Sequence, residues 1–182
     1  MLAKYRDRVC LFNDDIQGTG AVALSGIMGA LRITGGKLSE QKILFLGAGE
    51  AAIGIADTFV AALVEKGMPT EQARRQCWFI DTRGLLVAGR EHISEHKMAY
   101  AHEHPGIDDF VEAIKTLKPT AILGLSGQPG SFTKEIVEAA AEINERPIIF
   151  ALSNPTSKAE CTAEQTYTWT DGRAIFASGS PF

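Results

Sequence analysis

The sequence predicts an α/β protein built on a doubly wound, mainly parallel sheet with an additional N-terminal helix. Three observations carry that prediction. Short apolar runs alternate with stretches of helical spacing, each run is bounded by Gly, Pro, Ser or Asn, and the runs are continuously rather than alternately apolar at their centres, as in strands buried on both faces. The runs are Lys42–Leu46, Cys77–Asp81, Thr120–Leu125, Pro147–Leu152 and Ala174–Ser178, each too short for a helix, and they read as five strands. Helices are predicted over Ala51–Lys66, Asp108–Lys118 with Asp108 as N-cap, Thr133–Asn144 and Thr162–Thr170. The last opens on Thr162-x-x-Gln165, the spacing of a capping box. Strands joined through helices mean βαβ crossovers and a sheet covered on both faces. Thr70–Arg74 reads as a short extra helix within one connection.

Ahead of the first strand, Ile16–Ile33 is rich in Ala and Gly with apolar residues at helical spacing, and Thr34-Gly35-Gly36 marks its end. This helix belongs to no βαβ unit. Its small residues suit close packing against another helix, and the loop that starts it, Phe12-Asn13-Asp14-Asp15, carries two adjacent carboxylates.

A length of 182 residues fits one domain at about 150 residues per domain. Hydrophobic residues at 45%, charged residues at 22% and a mean hydropathy of 0.00 exclude a disordered chain. With 18 Lys plus Arg against 22 Asp plus Glu, the net charge of −4 provides no general attraction to nucleic acid or to an anionic bilayer, so any phosphate must be held locally. The longest small-apolar stretch, Ala21–Leu31, falls short of the roughly 20 residues of a membrane-spanning helix. Met1–Arg6 lacks the basic-then-apolar order of a secretory signal. Cys10, Cys77 and Cys161 are odd in number without CxxC spacing, and each reads as a small buried hydrophobe. A reduced, cytoplasmic compartment is the expectation, with any organellar targeting segment lying outside this chain. His92, His96, His102 and His104 lack metal-ligand spacing and read as surface residues.

The strand Lys42–Leu46 runs directly into Gly47-Ala48-Gly49-Glu50-Ala51-Ala52 and then a helix, the context that a GxGxxA dinucleotide fingerprint requires. Gly47 permits the tight turn, Gly49 lets backbone approach a pyrophosphate, and Ala52 lets the helix pack on the sheet with its N-terminal amides facing the anion. A Rossmann-like fold follows. The second strand ends in Asp81, where an acid would hydrogen-bond the adenosine ribose, although the Gly67–Gln76 insertion delays it beyond the usual spacing. Asp81 alone favours NAD, because its charge repels a 2′-phosphate. Thr82, Arg83 and Lys97 could compensate that phosphate and accept NADP, so the residues leave the cofactor open. At Asp14 and Asp15 helix capping competes with ligation of a hard cation such as Mg²⁺ or Mn²⁺.

Phe12-Asn-Asp-Asp-Ile-Gln-Gly-Thr19, Ile43-Leu-Phe-Leu-Gly-Ala-Gly-Glu-Ala-Ala52, Ala101-His-Glu-His104, Asn144–Thr156 (NERPIIFALSNPT) and Ala177–Phe182 (ASGSPF) resemble stretches of the malic enzymes. The resemblance runs along essentially the whole chain, and the NERPIIFALSNPT-like segment is its most specific part. It implies an NAD(P)-binding domain over residues 1–182 of an enzyme that oxidatively decarboxylates L-malate to pyruvate and CO₂ with NADP or NAD and Mg²⁺ or Mn²⁺. By the same resemblance, Asp15 is a metal ligand and Asp14 pairs with a catalytic lysine. Thr19, Gly47 through Ala52, Asp81, Thr82, Arg83 and Lys97 contact the cofactor, and Ser126 and Gly127 line its nicotinamide-ribose side. Asn154 contacts malate and the cofactor. A lysine matching Lys97 in members that prefer NADP tilts the expectation to NADP.

The family's catalytic tyrosine and lysine, an adjacent Glu-Asp pair and a further asparagine have no counterpart here. The chain therefore reads as a cofactor domain without the N-terminal catalytic segment and the C-terminal end, inactive alone, within a homo-oligomeric parent. A stand-alone dinucleotide-binding or regulatory module is the alternative. An amino-acid dehydrogenase is disfavoured by the Asn13-Asp14-Asp15 and Ser153–Thr156 motifs.

Overall fold

The computed structural model describes Tyr5 and residues 7–181. Phe182, which ends one of the motifs above, and most of the Met1–Arg6 stretch lie outside the described residues. A π-helical turn over Asp14–Gly18 leads into α1 (Thr19–Thr34), followed by β1 (Ile43–Leu46), α2 (Glu50–Glu65), α3 (Thr70–Arg74) and β2 (Cys77–Asp81). Then come β3 (Gly84–Leu85), α4 (Glu95–Met98), α5 (Phe110–Leu117), β4 (Ala121–Gly124), α6 (Lys134–Ile143), β5 (Ile148–Ala151), α7 (Ala163–Trp169) and β6 (Ile175–Ser178). The sheet order is β3-β2-β1-β4-β5-β6, parallel except for β3. This is the doubly wound α/β architecture that the alternation predicted.

Strand periodicity explains how the sheet is covered. Ile43, Phe45, Phe79, Leu123 and Phe150 face one side, where they meet Ile27 of α1 and Phe59 and Leu63 of α2. Their neighbours Leu44, Ile80, Ile122 and Ile149 face the other, against Phe110 and Ile114 of α5 and Val137 of α6. Successive residues pointing to opposite faces, both covered by helices, is why these strands are apolar throughout. Phe79 also stacks on Phe45 with ring centroids 4.6 Å apart and receives Tyr100 at 5.2 Å. That aromatic ladder ties β1, β2 and the segment beyond α4 together.

The small residues of α1 serve close packing as expected. A Cβ on Gly20 would lie 2.4 Å from Thr58 Oγ1, and one on Gly54 would lie 2.8 Å from Ile16 Cγ2, so α1 and its π turn seat directly on α2. Gly35, with φ 74°, closes α1 in the left-handed conformation. Thr162 and Gln165 form the reciprocal capping box of α7.

Several expectations need correction. Asp109, not Asp108, caps α5, and its side chain accepts from Glu112 N at 2.8 Å. The sheet has a sixth strand, β3, too short at two residues to leave a hydrophobic signature. Strand β6 is half-buried because it lies at the sheet edge. The predicted start of the N-terminal helix, Ile16, falls within the π turn. Cys77 and Cys161 are buried as expected, but Cys10 is exposed. No helix among the described residues is long and apolar enough to cross a membrane.

Candidate cofactor site

In this strand order the chain changes direction between β1 and β4, and the carboxyl ends of those strands open a cleft at that switch point, where α/β sheets bind ligands. The cleft measures about 500 Å³. It brings together Gly47, Ala48 and Gly49 after β1, Asp81, Thr82 and Arg83 after β2, Lys97 on α4, and Ser126 after β4. Gly47 and Ser126, 79 positions apart in the chain, thus converge because parallel strands present their carboxyl ends to one edge.

Gly47 has φ 109° and donates its N–H to Ile80 O at 2.8 Å. A Cβ there would lie 2.6 Å from Leu125 O, so only glycine lets the β1 turn nest against β4. Gly49 caps α2 without any side chain filling the helix N-terminus, and nothing lies within 4 Å of where its Cβ would be. Bare first-turn amides beside open space fit an anionic pyrophosphate. Ala52 is fully buried against the core, Ala51 is half-buried, and Glu50 pairs with His96 Nε2 at 3.1 Å, tying the glycine turn to α4.

Asp81 shows what sequence reasoning missed. Its Oδ2 accepts from Arg90 at 2.5 Å, its Oδ1 accepts from Arg83 N at 2.8 Å, and the Arg90 and Asp81 side chains are only 11% and 18% exposed. Burial opposes the charge, but the hydrogen bonds and charges of Arg90 and Arg83 prevail and hold the carboxyl below its usual range. The cleft therefore does not present a bare anion. Arg90 also donates to Gly84 O at 3.0 Å, so the short strand β3 brings it under Asp81. The Arg83 guanidinium reaches the carbonyls of Glu91 and His92, at 3.5 and 3.3 Å, on the segment leading to Lys97. That segment is anchored at its far end by Tyr100, whose hydroxyl donates to Asp57 Oδ1 at 2.6 Å. Gln128 and Ser131 complete the cleft and were also missed.

The other predicted residues lie outside this cleft. Gly127 donates to Ser153 Oγ at 2.9 Å, and exposed Asn154 accepts from Ser180 Oγ. Asp14 and Asp15 are exposed in the π turn that Asn13 caps, and Thr19 Oγ1 donates to Asp14 O at 3.3 Å. Among the described residues no cluster of three or more His, Cys, Asp or Glu could hold a metal ion. The residues present do not make a metal site by themselves.

His102 and His104 are half-buried around Trp78, which corrects their reading as surface residues, whereas His92 and His96 are exposed. His102 Nε2 lies 2.8 Å from Cys77 O. Burial lowers its pKa by disfavouring the cation. A depressed histidine binds protons more readily when the chain unfolds, so its contribution is complete above about pH 6.5 and is lost as pH falls through the depressed value. The melting temperature of the wild-type chain is expected to drop more steeply than that of His102→Gln as pH falls below about 6.5, as checked by thermal denaturation across pH.

Residues 16–182 match the family model for malic enzyme, NAD binding domain. The chain belongs to the malic enzyme family. An NADP-dependent malic enzyme of Mus musculus is 54% identical over 182 residues, all of this chain and 32% of that protein. A mitochondrial NADP-dependent malic enzyme of Homo sapiens is also 54% identical, over all of this chain and 30% of that protein. The chain thus spans about a third of the length of these malic enzymes. The fold is shared with the malic enzyme of Entamoeba histolytica, with TM-score 0.78 and 24% identity over 98% of this chain and 35% of the other. A malic enzyme from Pyrococcus horikoshii gives TM-score 0.76 and 23% identity over 98% and 40%.

Proposed function

We propose that residues 1–182 form the NAD(P)-binding domain of an enzyme that oxidatively decarboxylates L-malate to pyruvate and CO₂, and that the cofactor is NADP. The observation that carries this reading is the convergence of the Gly47–Gly49 turn, the Arg90-compensated Asp81, Arg83 and Lys97 on one cleft. The open α2 N-terminus receives the pyrophosphate, with Glu50, Ala51 and Ala52 forming the helix turn behind it. Asp81 accepts from a ribose hydroxyl through its remaining lone pairs, while Arg90 cancels the charge that would repel a 2′-phosphate. Thr82, Arg83 and Lys97 hold that phosphate. Ser126 and Gly127 orient the nicotinamide-ribose half. The bound nicotinamide supplies hydride acceptance.

Asp14 pairs with a catalytic lysine, Asp15 supplies one oxygen to an Mg²⁺ or Mn²⁺ site whose other ligands come from the rest of the enzyme, Thr19 contacts the cofactor, and Asn154 contacts malate and the cofactor. Exposure of Asp15 and Asn154 supports roles that further protein completes. So does the outer face of α1, where Val22 is 74% exposed, Ile33 is 56% exposed and Gly29 between them faces open space. An apolar face of this kind is suited to packing against protein, which favours a part of a larger, homo-oligomeric enzyme over a stand-alone module.

A thermal-shift titration of the chain tests the cofactor. NADP⁺ at a hundred times its dissociation constant should raise the melting temperature by about 5–10 °C. Lys97→Ala or Arg83→Ala should weaken NADP⁺ about tenfold and leave NAD⁺ unchanged. A larger shift with NAD⁺ than with NADP⁺ would reverse the preference, and no shift with either would remove the cofactor reading.

A further inference from the structure

Glu160 is completely buried, yet no cation pairs with it among the described residues. Four donors hold it instead. Oε1 accepts from Ser126 N at 2.9 Å, Ser126 Oγ at 3.0 Å and Ser153 Oγ at 2.5 Å, and Oε2 accepts from Ser153 N at 3.3 Å. Two of these donors follow β4 and two follow β5, so one carboxylate bridges the carboxyl ends of adjacent strands. The fold makes room for it. A Cβ on Gly124, the last residue of β4, would lie 2.6 Å from both Cγ and Cδ of Glu160.

Because the carboxylate only accepts, both serine hydroxyls must donate inward to it. Each hydroxyl oxygen is then free to accept from elsewhere. Ser126 Oγ takes Gln128 N at 3.1 Å and lies 3.1 Å from Ser131 Oγ, and Ser153 Oγ takes Gly127 N at 2.9 Å. Ser126, Gln128 and Ser131 line the cofactor cleft. A single acceptor at the centre thus fixes the direction of the Ser126 and Ser153 hydroxyls and links the loop after β4 to the loop carrying Asn154.

We propose that Glu160 is a positioning residue that orders the Ser126–Ser131 loop for the nicotinamide-ribose half of the cofactor. It touches no ligand itself and acts through Ser126 and Ser153. This inference rests on the cofactor-binding reading above and extends it to one half of the molecule. The adenosine half lies at Asp81, Arg83 and Lys97, which Glu160 does not contact, so the two halves can be separated by ligand choice.

Binding of NADP⁺ and of adenosine 2′,5′-bisphosphate, which carries only the adenosine half, should be measured by calorimetry on the wild-type chain, Glu160→Gln and Ser153→Ala. The glutamine amide would face Ser153 N with a donor, and the alanine removes the acceptor of Gly127 N, while leaving the carboxylate in place. Each variant is expected to weaken NADP⁺ about tenfold and to change adenosine 2′,5′-bisphosphate less than about twofold. If both ligands bind as in wild type, or weaken equally, the proposal falls. If Glu160→Gln does not fold, Ser153→Ala decides by the same ratio. Wild-type chain that binds neither ligand would overturn the cofactor reading and this inference with it.

Discussion

Gly47→Ala is expected to abolish dinucleotide binding and to destabilise the chain by about 2–5 kcal/mol, a fall in melting temperature of about 5–15 °C. Its Cβ would lie 2.6 Å from Leu125 O and 2.9 Å from Leu125 C, and these are backbone atoms of the segment directly after β4. Neither side can yield, because β1 and β4 are hydrogen-bonded neighbours throughout their length. The φ of 109° adds strain for any L side chain. Gly49→Ala separates stability from binding. Its φ of −79° suits alanine and its Cβ meets nothing, so the fold should keep its melting temperature while the methyl narrows the approach to the α2 amides. Thermal denaturation and NADP⁺ calorimetry on both variants check this; a Gly47→Ala chain with wild-type stability would contradict the nesting of the two strands.

Arg90→Met keeps an apolar stem but removes the cation from Asp81, and is expected to raise the NADP⁺ dissociation constant by about 10–100-fold, with a much smaller effect on NAD⁺. The reason is the 2′-phosphate. With Arg90 gone, the Asp81 carboxylate meets that phosphate as a bare, largely buried anion, whereas a 2′-hydroxyl can still donate to it. Loss of the partner should also cost about 3 kcal/mol of stability. The pH dependence changes in a defined sense. A depressed carboxyl contributes stability that is present above its unfolded value near about pH 4 and is lost as pH falls through the depressed one. The wild-type chain should therefore lose more stability than Arg90→Met on acidification below about pH 4. Equal weakening of NADP⁺ and NAD⁺ would show that Arg90 supports the fold without discriminating between cofactors.

How much of this was legible in the sequence depends on the range of the interaction. The strands β1, β2, β4, β5 and β6, the helices α1, α2, α5, α6 and α7, the Thr162 capping box and the Gly47–Gly49 turn all rest on residues within a few positions of each other. Periodicity and cap chemistry act over that range. The cap of α5 shifted from Asp108 to Asp109 because either aspartate could accept from the first-turn amides and only the path of the chain out of Ile107 chooses between them. Lys97 could be nominated as a phosphate ligand from its charge, but its approach to the cleft depends on the Glu50–His96 pair and the Tyr100–Asp57 hydrogen bond, which join residues 46 and 43 positions apart.

The sequence by itself determined the βαβ alternation, the Gly47–Gly49 turn, the net charge of −4 and the resemblance to malic enzymes, because composition, spacing and motif are local properties. Only the tertiary structure decided that Arg90 neutralises Asp81, that Glu160 stands at the junction of two loops, and that His102 is half-buried. Arg90 follows Asp81 by nine residues with no periodic relation to it, and Glu160 lies 34 residues from Ser126 in a charged-looking stretch that resembles a solvated turn. Burial converts each of these polar groups from an ordinary surface residue into one whose partners must be supplied, and burial is created by the sheet and its helices coming together.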